Sequence, residues 1–513
     1  MRIRHYASVP VLAVTGGLYA AWLAYPIAIV TADIGRHIIS GSIFFRQPEL
    51  FWKLTHTNFF TYSHPDYPFI NHHWLSGVFF YFMEKTGGWQ GLHIMYILML
   101  LLALGLCIDA ARRVSSLWTA SVVALAALPL IDQRTEIRPE GFAYLIVAVM
   151  LWILIASEQG AIARSRRWFL PVLLLFWTNM HASFPVGLAL ILLFASYEIY
   201  RARGQGSSVT LAQWGIPLTC ILAVFVNPNG VYGVLQPFLI FRDAGYAVVE
   251  NQSVFFLEKL GMYAGPFFFL KAWMVLLVLG GVLLVRSKKA TTAVPLFLFT
   301  IALGCTTFFA SRHISALGFV LAVAAAAILK HITDAGGKRT AWIATGLVAL
   351  LAAVSFGWHV QQLSSRWIVI GLAPRSTAAA KFLKENSIHG PLFNNFDIAG
   401  YLIHEFYPEE RVFVSNVPEA HPPEFFRDVY IPMQQDEAVW QQQLAQNNFN
   451  AIVLYYHDRT QWLQQFLKTR IYDPTWAPVY VDDSVLVLLR RNEKNQDLIT
   501  KHGIPSTAFT FGQ

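Results

Sequence analysis

The chain has 513 residues, of which 55% are hydrophobic and only 13% charged, and its mean hydropathy is +0.46. This composition excludes a soluble globular protein and is typical of a protein that crosses a membrane several times. The formal net charge is +8, but it lies mostly in short loops between apolar segments, which indicates membrane topology rather than nucleic-acid binding. The cysteines are too scattered for a disulfide framework.

The first apolar segment covers roughly residues 8–30, enough to cross a bilayer core. It follows Arg2 and Arg4, and no clear cleavage site ends it, so we predict a retained signal-anchor helix. Further apolar runs bring the prediction to about eleven transmembrane helices. They lie near residues 90–111, 115–131, 141–157, 168–179, 185–200, 211–226, 264–285, 292–309, 314–329 and 341–358.

Basic residues concentrate in alternate loops between these runs. They are Arg112 and Arg113, Arg164, Arg166 and Arg167, Arg201 and Arg203, Arg286, Lys288 and Lys289, and Lys330, Lys338 and Arg339. The positive-inside rule makes these loops cytoplasmic. We therefore expect a cytoplasmic N-terminus and, with an odd number of helices, an extracytoplasmic C-terminus.

The loops on the opposite side carry mixed acids, bases, amides and histidines. They comprise residues 31–87, 132–140, 179–181, 227–261 and 311–313, and the C-terminal tail belongs with them. Ionisable residues at a membrane face are costly and tend to be functional. Their convergence on one face predicts a site there.

The composition changes near Arg375. Short apolar runs at Arg411–Val414, Ala451–Tyr456, Val479–Val481 and Val485–Leu489 alternate with helical patterns at Ser376–Glu385 and Glu437–Gln446. We predict a membrane domain over 1–360 with a large first extracytoplasmic loop (31–87), a small extracytoplasmic α/β domain over 375–492, and a flexible tail over 493–513. The fold class is thus an α-helical polytopic membrane protein with a C-terminal α/β domain.

The first polar loop holds the clearest candidate for acid–base chemistry. Asp33 and His37 are four residues apart, so on a helix they share a face. A carboxylate beside an imidazole, partly removed from water, suits a general base. Asp is also a favoured N-cap residue, so the alternative is that Asp33 only caps a short helix.

Histidines and aromatic residues of the same loop admit two interpretations. His56, His64, His72 and His73 invite a zinc hypothesis, but no two-histidine-plus-carboxylate spacing accompanies them. Hydrogen-bonding histidines at the membrane interface fit better. Trp74 is either an interface anchor or a surface on which a sugar stacks.

The turn over 132–140 holds Arg134, Glu136, Arg138 and Glu140. An arginine there could bind a phosphate with its planar fork. The alternative is an internal cluster of arginine–glutamate ion pairs. Further polar residues on the same side of the membrane are Asn179, His181, Arg242, Glu250, Arg312 and His313.

Several spaced motifs carry a family resemblance over about 450 residues. They begin with Asp33-x-Gly35-Arg36-His37, Thr57-Asn58-Phe59 and Asn71-His72-His73-Trp74, and continue through Arg138-Pro139, Asn179-x-His181, Asn227-Pro228-x-Gly230, Arg312 and Phe393-Asn394-x-Phe396-Asp397-x-x-Gly400-Tyr401-Leu402. The chain resembles a bacterial family of polytopic proteins within the GT-C superfamily of membrane glycosyltransferases. It departs at Ser415-Asn416-Val417, where many relatives have an acidic-Gly-Arg triplet, which puts a ligand role of that segment in question.

The resemblance implies transfer of a sugar from a polyprenyl-phosphate donor to a glycan, lipid or protein acceptor at the outer face of the inner (plasma) membrane. By position, Asp33 is the acidic residue that acts as base or metal ligand. No cofactor is certain, a divalent metal stays open, and no nucleic-acid partner is expected. We expect Arg138, Arg312 and His313 to bind the donor phosphate. The expected substrate-binding residues are His37, Asn71, His72, His73, Trp74, Glu140 and His181.

Two other functions remain open. A non-catalytic scaffold for envelope glycan assembly would keep the fold without the reaction, whereas a transporter should place polar residues in mid-membrane on broken helices. A metal-dependent hydrolase built on the histidines would need bound metal.

Overall fold

A computed structural model describes residues 2–208, 210–239, 245–286, 292–335 and 337–510. Lys288, Lys289 and Arg242, named above, lie outside these ranges. The helices are α1 (Arg2–Leu23), α2 (Ile34–Arg46), α3 (Phe51–His56), α4 (Trp74–Val114), α5 (Leu117–Ile131), α6 (Glu140–Glu158), α7 (Leu170–Met180), α8 (Phe184–Gly204), α9 (Leu211–Ala223), α10 (Gly230–Leu239), α11 (Val254–Lys259), α12 (Ala264–Arg286), α13 (Ala293–Phe309), α14 (Ile314–Ala335), α15 (Lys338–Ser364), α16 (Ala378–Glu385), α17 (Ala399–Phe406), α18 (Pro432–Gln435), α19 (Glu437–Asn447), α20 (Gln461–Tyr472) and α21 (Gln496–His502). The strands are β1 (Leu392–Asn394), β2 (Ala451–Tyr455), β3 (Trp476–Val481) and β4 (Val485–Arg490).

Every predicted apolar run contains a helix. In the described residues, 6 helices are long and apolar enough to cross a membrane, and shorter apolar helices accompany them. This confirms a helical, multi-pass architecture, while the count of eleven spans stays a prediction. The first helix ends at Leu23, earlier than expected, because Pro26 lacks a backbone N–H and restricts the residue before it. Asp33 therefore precedes α2 rather than ending α1.

The chain folds into two compact units. Unit 1 comprises Met1–Tyr25, His93–Pro237 and Val248–Ile370, and unit 2 comprises Pro26–Leu92, Phe238–Ala247 and Gly371–Gln513. The division groups the first polar loop with the C-terminal region. The predicted domain boundaries, drawn from composition, stay a prediction.

Unit 1 is built around α5, whose residues from Val123 to Ile131 are buried. Pro129 lies inside this helix, so the carbonyl of Leu125, four residues earlier, loses its helical N–H donor. The hydroxyl of Ser355, in α15, takes the place of this missing donor, because it donates a hydrogen bond to the Leu125 carbonyl oxygen at 2.6 Å. A side chain of another helix thereby satisfies a buried backbone group that the proline had left unpaired.

Unit 2 contains a four-stranded sheet in the order β1-β2-β4-β3, with β1 and β2 parallel and the other pairs antiparallel. Alternate residues of β2 enter different hydrophobic clusters: Ala451 and Val453 on one face, Ile452 and Leu454 on the other. Both faces are therefore buried. The first cluster also includes Ile29, Val30, Ile43, Leu54, Phe59 and Phe60, so the first polar loop helps to cover the sheet.

The C-terminal α/β prediction is confirmed with one correction. Arg411–Val414 forms no strand; Val412 makes only an isolated bridge to Thr61. The reason is that the side chain of Asn394 supplies hydrogen bonds that a neighbouring strand would otherwise make. Its Oδ1 accepts from the Phe413 N–H at 2.8 Å, and its Nδ2 donates to the Val414 carbonyl at 2.9 Å. The segment predicted as a tail contains α21, in which Ile499 is buried.

Candidate functional site

Asp33 stands at the N-cap position of α2, but its side chain forms no capping hydrogen bond. It accepts instead a short hydrogen bond from the amide of Asn416. The Nε of Arg36, on the first turn of α2, donates to the other end of that amide at 3.2 Å. Asn416 thus links the carboxylate of Asp33 to the guanidinium of Arg36 within unit 2. A capping role explains why an aspartate stands at this position, but it does not explain the orientation of its side chain.

Two glycines allow this approach. A Cβ on Gly35 would lie 2.5 Å from the carbonyl oxygen of Gly400, and a Cβ on Gly400 would lie 2.8 Å from the carbonyl oxygen of Ala32. The beginnings of α2 and α17 are therefore in backbone contact, which any larger residue would prevent. This contact brings the segment before α17, with Asp397, to the neighbourhood of Asp33.

Three carboxylates of unit 2 interact electrostatically. Burial, together with the charges of Asp458 and Asp33, raises the pKa of Asp397 to about 7. Asp458 is itself bound, because Asn395 Nδ2 donates to its Oδ2 at 3.3 Å. Near neutral pH Asp397 can therefore exchange a proton, as residues at acid–base sites often do.

The predicted substrate-binding residues of the first loop also lie in unit 2. His37 is buried and meets His73 edge to face, with ring centroids 5.4 Å apart. Asn71 Oδ1 accepts from the His73 N–H at 3.1 Å, which fixes the start of α4. Burial lowers the pKa of His72 to about 4, so His72 is neutral at pH 7. Trp74 packs against Phe44 and Phe51, with ring centroids 5.9 and 5.2 Å away.

The arginines predicted to bind phosphate lie in unit 1, where they surround Glu250. Arg134 Nη1 and Arg138 Nη1 approach Glu250 Oε2 at 2.8 and 2.9 Å. Arg312 Nη2 is 3.8 Å from Glu250 Oε1. Burial alone would raise the pKa of Glu250, but the three arginines hold it below its usual range. The structure therefore contains the ion-pair cluster that the sequence admitted as an alternative.

The other predicted residues of unit 1 adjoin this cluster or the helix ends near it. Glu140 binds Arg134 Nη2 at 3.0 Å and lies 3.9 Å from Arg312 Nη2. His313 shares a short 3₁₀ helix with Arg312 (Ser311–His313). His181 Nδ1 lies 2.7 Å from the hydroxyl of Ser183, at the start of α8.

A metal site has no evident ligand set in the part of the chain that the structure describes. No group of three or more His, Cys, Asp or Glu residues there could hold a metal ion. We therefore derive no step through a metal, and the hydrolase hypothesis lacks a site among these residues.

Sequence reasoning missed two residues that the structure places beside candidates. Asn416 belongs to a segment that departs from the family pattern, and nothing in one sequence pairs it with Asp33, since the two are 383 positions apart. Asp397 was part of the quoted motif, but its proximity to Asp33 depends on the contact between Gly35 and Gly400. Both relationships are tertiary.

Comparison with known proteins identifies solved structures that share the fold of this chain. No family model matches the chain, and no curated protein matches its sequence. Among solved structures, the Archaeoglobus fulgidus oligosaccharyltransferase, tethered to an acceptor peptide containing the NVT sequon, matches with a TM-score of 0.58 and 12% identity, over 95% of this chain and 74% of that one. ArnT from Cupriavidus metallidurans bound to undecaprenyl phosphate matches with a TM-score of 0.52 and 14% identity, over 94% and 97%. The chain therefore shares its fold with these two structures.

Proposed function

We propose that this protein is a membrane glycosyltransferase that moves a sugar from a polyprenyl-phosphate donor to an envelope acceptor at the extracytoplasmic face. The fold shared with two transferases supports the class of reaction, and the undecaprenyl phosphate bound to ArnT supports the class of donor. The observation that carries the proposal is the orientation of Asp33, whose carboxylate is held by Asn416 instead of capping α2.

In this reaction the Asp33 carboxylate takes the proton of an acceptor hydroxyl. The hydroxyl oxygen bonds to the anomeric carbon of the sugar while the bond from that carbon to the phosphate oxygen breaks. The electron pair of the broken bond leaves with the polyprenyl phosphate, and attack from the opposite side inverts the anomeric carbon. The amide of Asn416 orients the carboxylate.

Arg138 and Arg312 are proposed to bind the donor phosphate, with His313 beside them. Guanidinium groups partly removed from water stabilise the charge that develops on a leaving phosphate. The side-chain exposures of Arg138 and Arg312 are 21% and 15%, low enough for strong electrostatics yet open to a ligand. Sugar contacts are proposed for His37, Asn71, His72, His73, Trp74, Glu140 and His181.

One observation favours a non-catalytic scaffold as the second candidate. The carboxylates of Glu140 and Glu250 pair with Arg134, Arg138 and Arg312, as they would in a purely structural cluster. A scaffold would keep this cluster without turning over any donor. The two functions therefore differ in whether lipid-linked sugars are consumed.

Mass spectrometry of polyprenyl-phosphate sugars in cells tests the proposal. Deletion of the gene should raise the level of one such lipid, and the wild-type gene should restore it. Arg138→Ala should fail to restore it, whereas Arg112→Ala, which removes an arginine paired with Asp109, should succeed. Unchanged lipid levels on deletion, or full restoration by Arg138→Ala at equal expression, would favour the scaffold.

A further inference from the structure

The segment from Phe413 to Asn416 belongs to no strand, yet side chains from elsewhere in unit 2 fix its beginning. Asn394 binds the N–H of the first residue and the carbonyl of the second. The hydroxyl of Ser63 donates to the Phe413 carbonyl at 2.6 Å. These contacts reach only the first two residues, so the placement of the Asn416 side chain depends on what holds Ser415.

The imidazole of His421 holds Ser415. Its Nε2 accepts a hydrogen bond from the Ser415 backbone N–H at 3.2 Å, and the Ser415 hydroxyl lies 3.2 Å from the same nitrogen. Both residues are buried, and a buried backbone N–H that loses its acceptor costs free energy. The ring therefore fixes the backbone immediately before Asn416.

This contact also determines where the ring carries its proton. A backbone N–H can only donate, so Nε2 must offer its lone pair and carry no proton. Burial and the nearby ring of His64 lower the pKa of His421 to about 3, so the ring is neutral near pH 7. Its single proton is then on Nδ1, and Nε2 stays an acceptor over the whole neutral range.

Asn58 of the first polar loop lies at the other nitrogen of the ring. It belongs to one of the motifs that carry the family resemblance, and it is buried. Its amide nitrogen is 3.4 Å from Nδ1 of His421, and a half-turn of the amide brings its oxygen to accept the Nδ1 proton at almost unchanged shape. Phe425 stacks on the face of the ring, with centroids 4.7 Å apart. The orientation of the imidazole is thus fixed at an edge and at a face.

We propose that His421 is a positioning residue for Asp33. It acts through the backbone of Ser415 and the amide of Asn416, while Asn58 sets the orientation of the ring. The proposal rests on the proposed function, since the orientation of the Asp33 carboxylate affects a rate only where this group is the base. A reacting group misplaced by about 1 Å can lose about a hundredfold in rate, so a support two residues removed from the carboxylate matters.

Three substitutions separate positioning from packing, with kcat measured as release of polyprenyl phosphate. His421→Phe keeps a ring against Phe425 but has no acceptor, so kcat should fall about tenfold, with little change in the KM for the donor. His421→Gln offers an amide oxygen near the position of Nε2 and should regain most of that loss. His457→Phe is the matched control, since it removes an exposed ring that binds the Asp483 carbonyl at 2.8 Å, and it should behave as the wild type.

Two further measurements distinguish positioning from general structural damage. In Asn416→Ala the connection to Asp33 is already cut, so adding His421→Phe should lower kcat little further, whereas unrelated damage would add to the first loss. Hydrogen exchange followed by mass spectrometry should show faster exchange in the peptide that contains Ser415 for His421→Phe, but not for His457→Phe.

A kcat of His421→Phe equal to that of the wild type would overturn the proposal, as would losses that add fully to those of Asn416→Ala. If His421→Phe does not fold, His421→Gln decides, because a folded His421→Gln that loses as much kcat as Asn416→Ala would also overturn it. Unchanged exchange at Ser415 in His421→Phe would do the same.

Failure of the proposed function looks different from failure of this inference. Faster exchange at Ser415 in His421→Phe, with no release of polyprenyl phosphate by the wild type, would confirm that His421 supports the segment. It would contradict glycosyl transfer, and with it the role of this support in catalysis.

Discussion

The amide of Asn416 donates a hydrogen bond to the carboxylate of Asp33, although the two residues are 383 positions apart in the chain. The other end of the same amide accepts from Arg36 at 3.2 Å. Asn416 thereby holds the carboxylate of Asp33 in one orientation.

Asn416→Ala should lower kcat by about ten- to a hundredfold, because a hydrogen bond to a charged group contributes about 1.5–3 kcal/mol. The KM for the donor should change little. Asn386→Ala, which removes a local hydrogen bond to Phe382, is the matched control. An unchanged kcat, or a loss that appears in KM instead of kcat, would contradict a positioning role.

Gly35→Ala should destabilise unit 2, because its Cβ would lie 2.5 Å from the Gly400 carbonyl oxygen. Overpacking of this kind costs about 1–3 kcal/mol, more than the gain of about 1 kcal/mol that alanine brings inside a helix. Gly91→Ala is the control, since no atom lies within 4 Å of its Cβ position, and it should be neutral or stabilising. Thermal unfolding measures both, and equal unfolding temperatures for the two variants would argue against the contact.

Asp397→Asn should change how stability depends on pH. The folded chain raises the pKa of Asp397 to about 7, above its unfolded value of about 4, so the folded state binds this proton more tightly. The corresponding stability is present below about pH 4 and is lost as the pH rises toward 7. The variant should therefore be more stable than the wild type at pH 8, by at most about 4 kcal/mol, and show no such gain at pH 4.

Unfolding temperatures between pH 4 and pH 8 check this prediction. Asp428→Asn, at an exposed position, should follow the wild type throughout. A constant difference between Asp397→Asn and the wild type across the range would show that Asp397 does not titrate there.

Ser355→Ala should lower the free energy of unfolding by about 1 kcal/mol, because the carbonyl of Leu125 would lose the donor that compensates for Pro129. Ser364 lies on the same helix, but its hydroxyl bonds only to the nearby carbonyl of Gln361, so Ser364→Ala should be neutral. Chemical denaturation in detergent compares the two. If Ser364→Ala lowered the free energy of unfolding as much as Ser355→Ala does, the hydrogen bond to Leu125 would not be what stabilises the fold at this position.

The sequence predicts the helical membrane architecture and the C-terminal α/β region because both depend on local patterns. Apolar runs persist over whole helices, and short apolar strands such as Ala451–Tyr455 differ visibly from them. Arg411–Val414 has the same apolar pattern as a strand but forms none. There the side chain of Asn394 supplies the hydrogen bonds, which no local rule anticipates.

The candidate site was predictable only in part. Asp33 and the arginine-rich turn could be identified because ionisable residues stand out at the ends of apolar runs. Their partners could not, because Asn416 and Glu250 are joined to them by tertiary contacts. The choice between phosphate-binding arginines and an ion-pair cluster likewise needed the position of Glu250.

The most direct test of glycosyl transfer is single-turnover reaction of the purified protein with lipid-linked sugars and envelope acceptors, both extracted from the deletion strain, followed as release of polyprenyl phosphate. The wild type should release it, and Asp33→Asn should release almost none while it keeps the wild-type unfolding temperature and affinity for the donor. Release by Asp33→Asn at the wild-type rate would contradict the assignment of Asp33 as the base. No release by either protein would contradict glycosyl transfer itself.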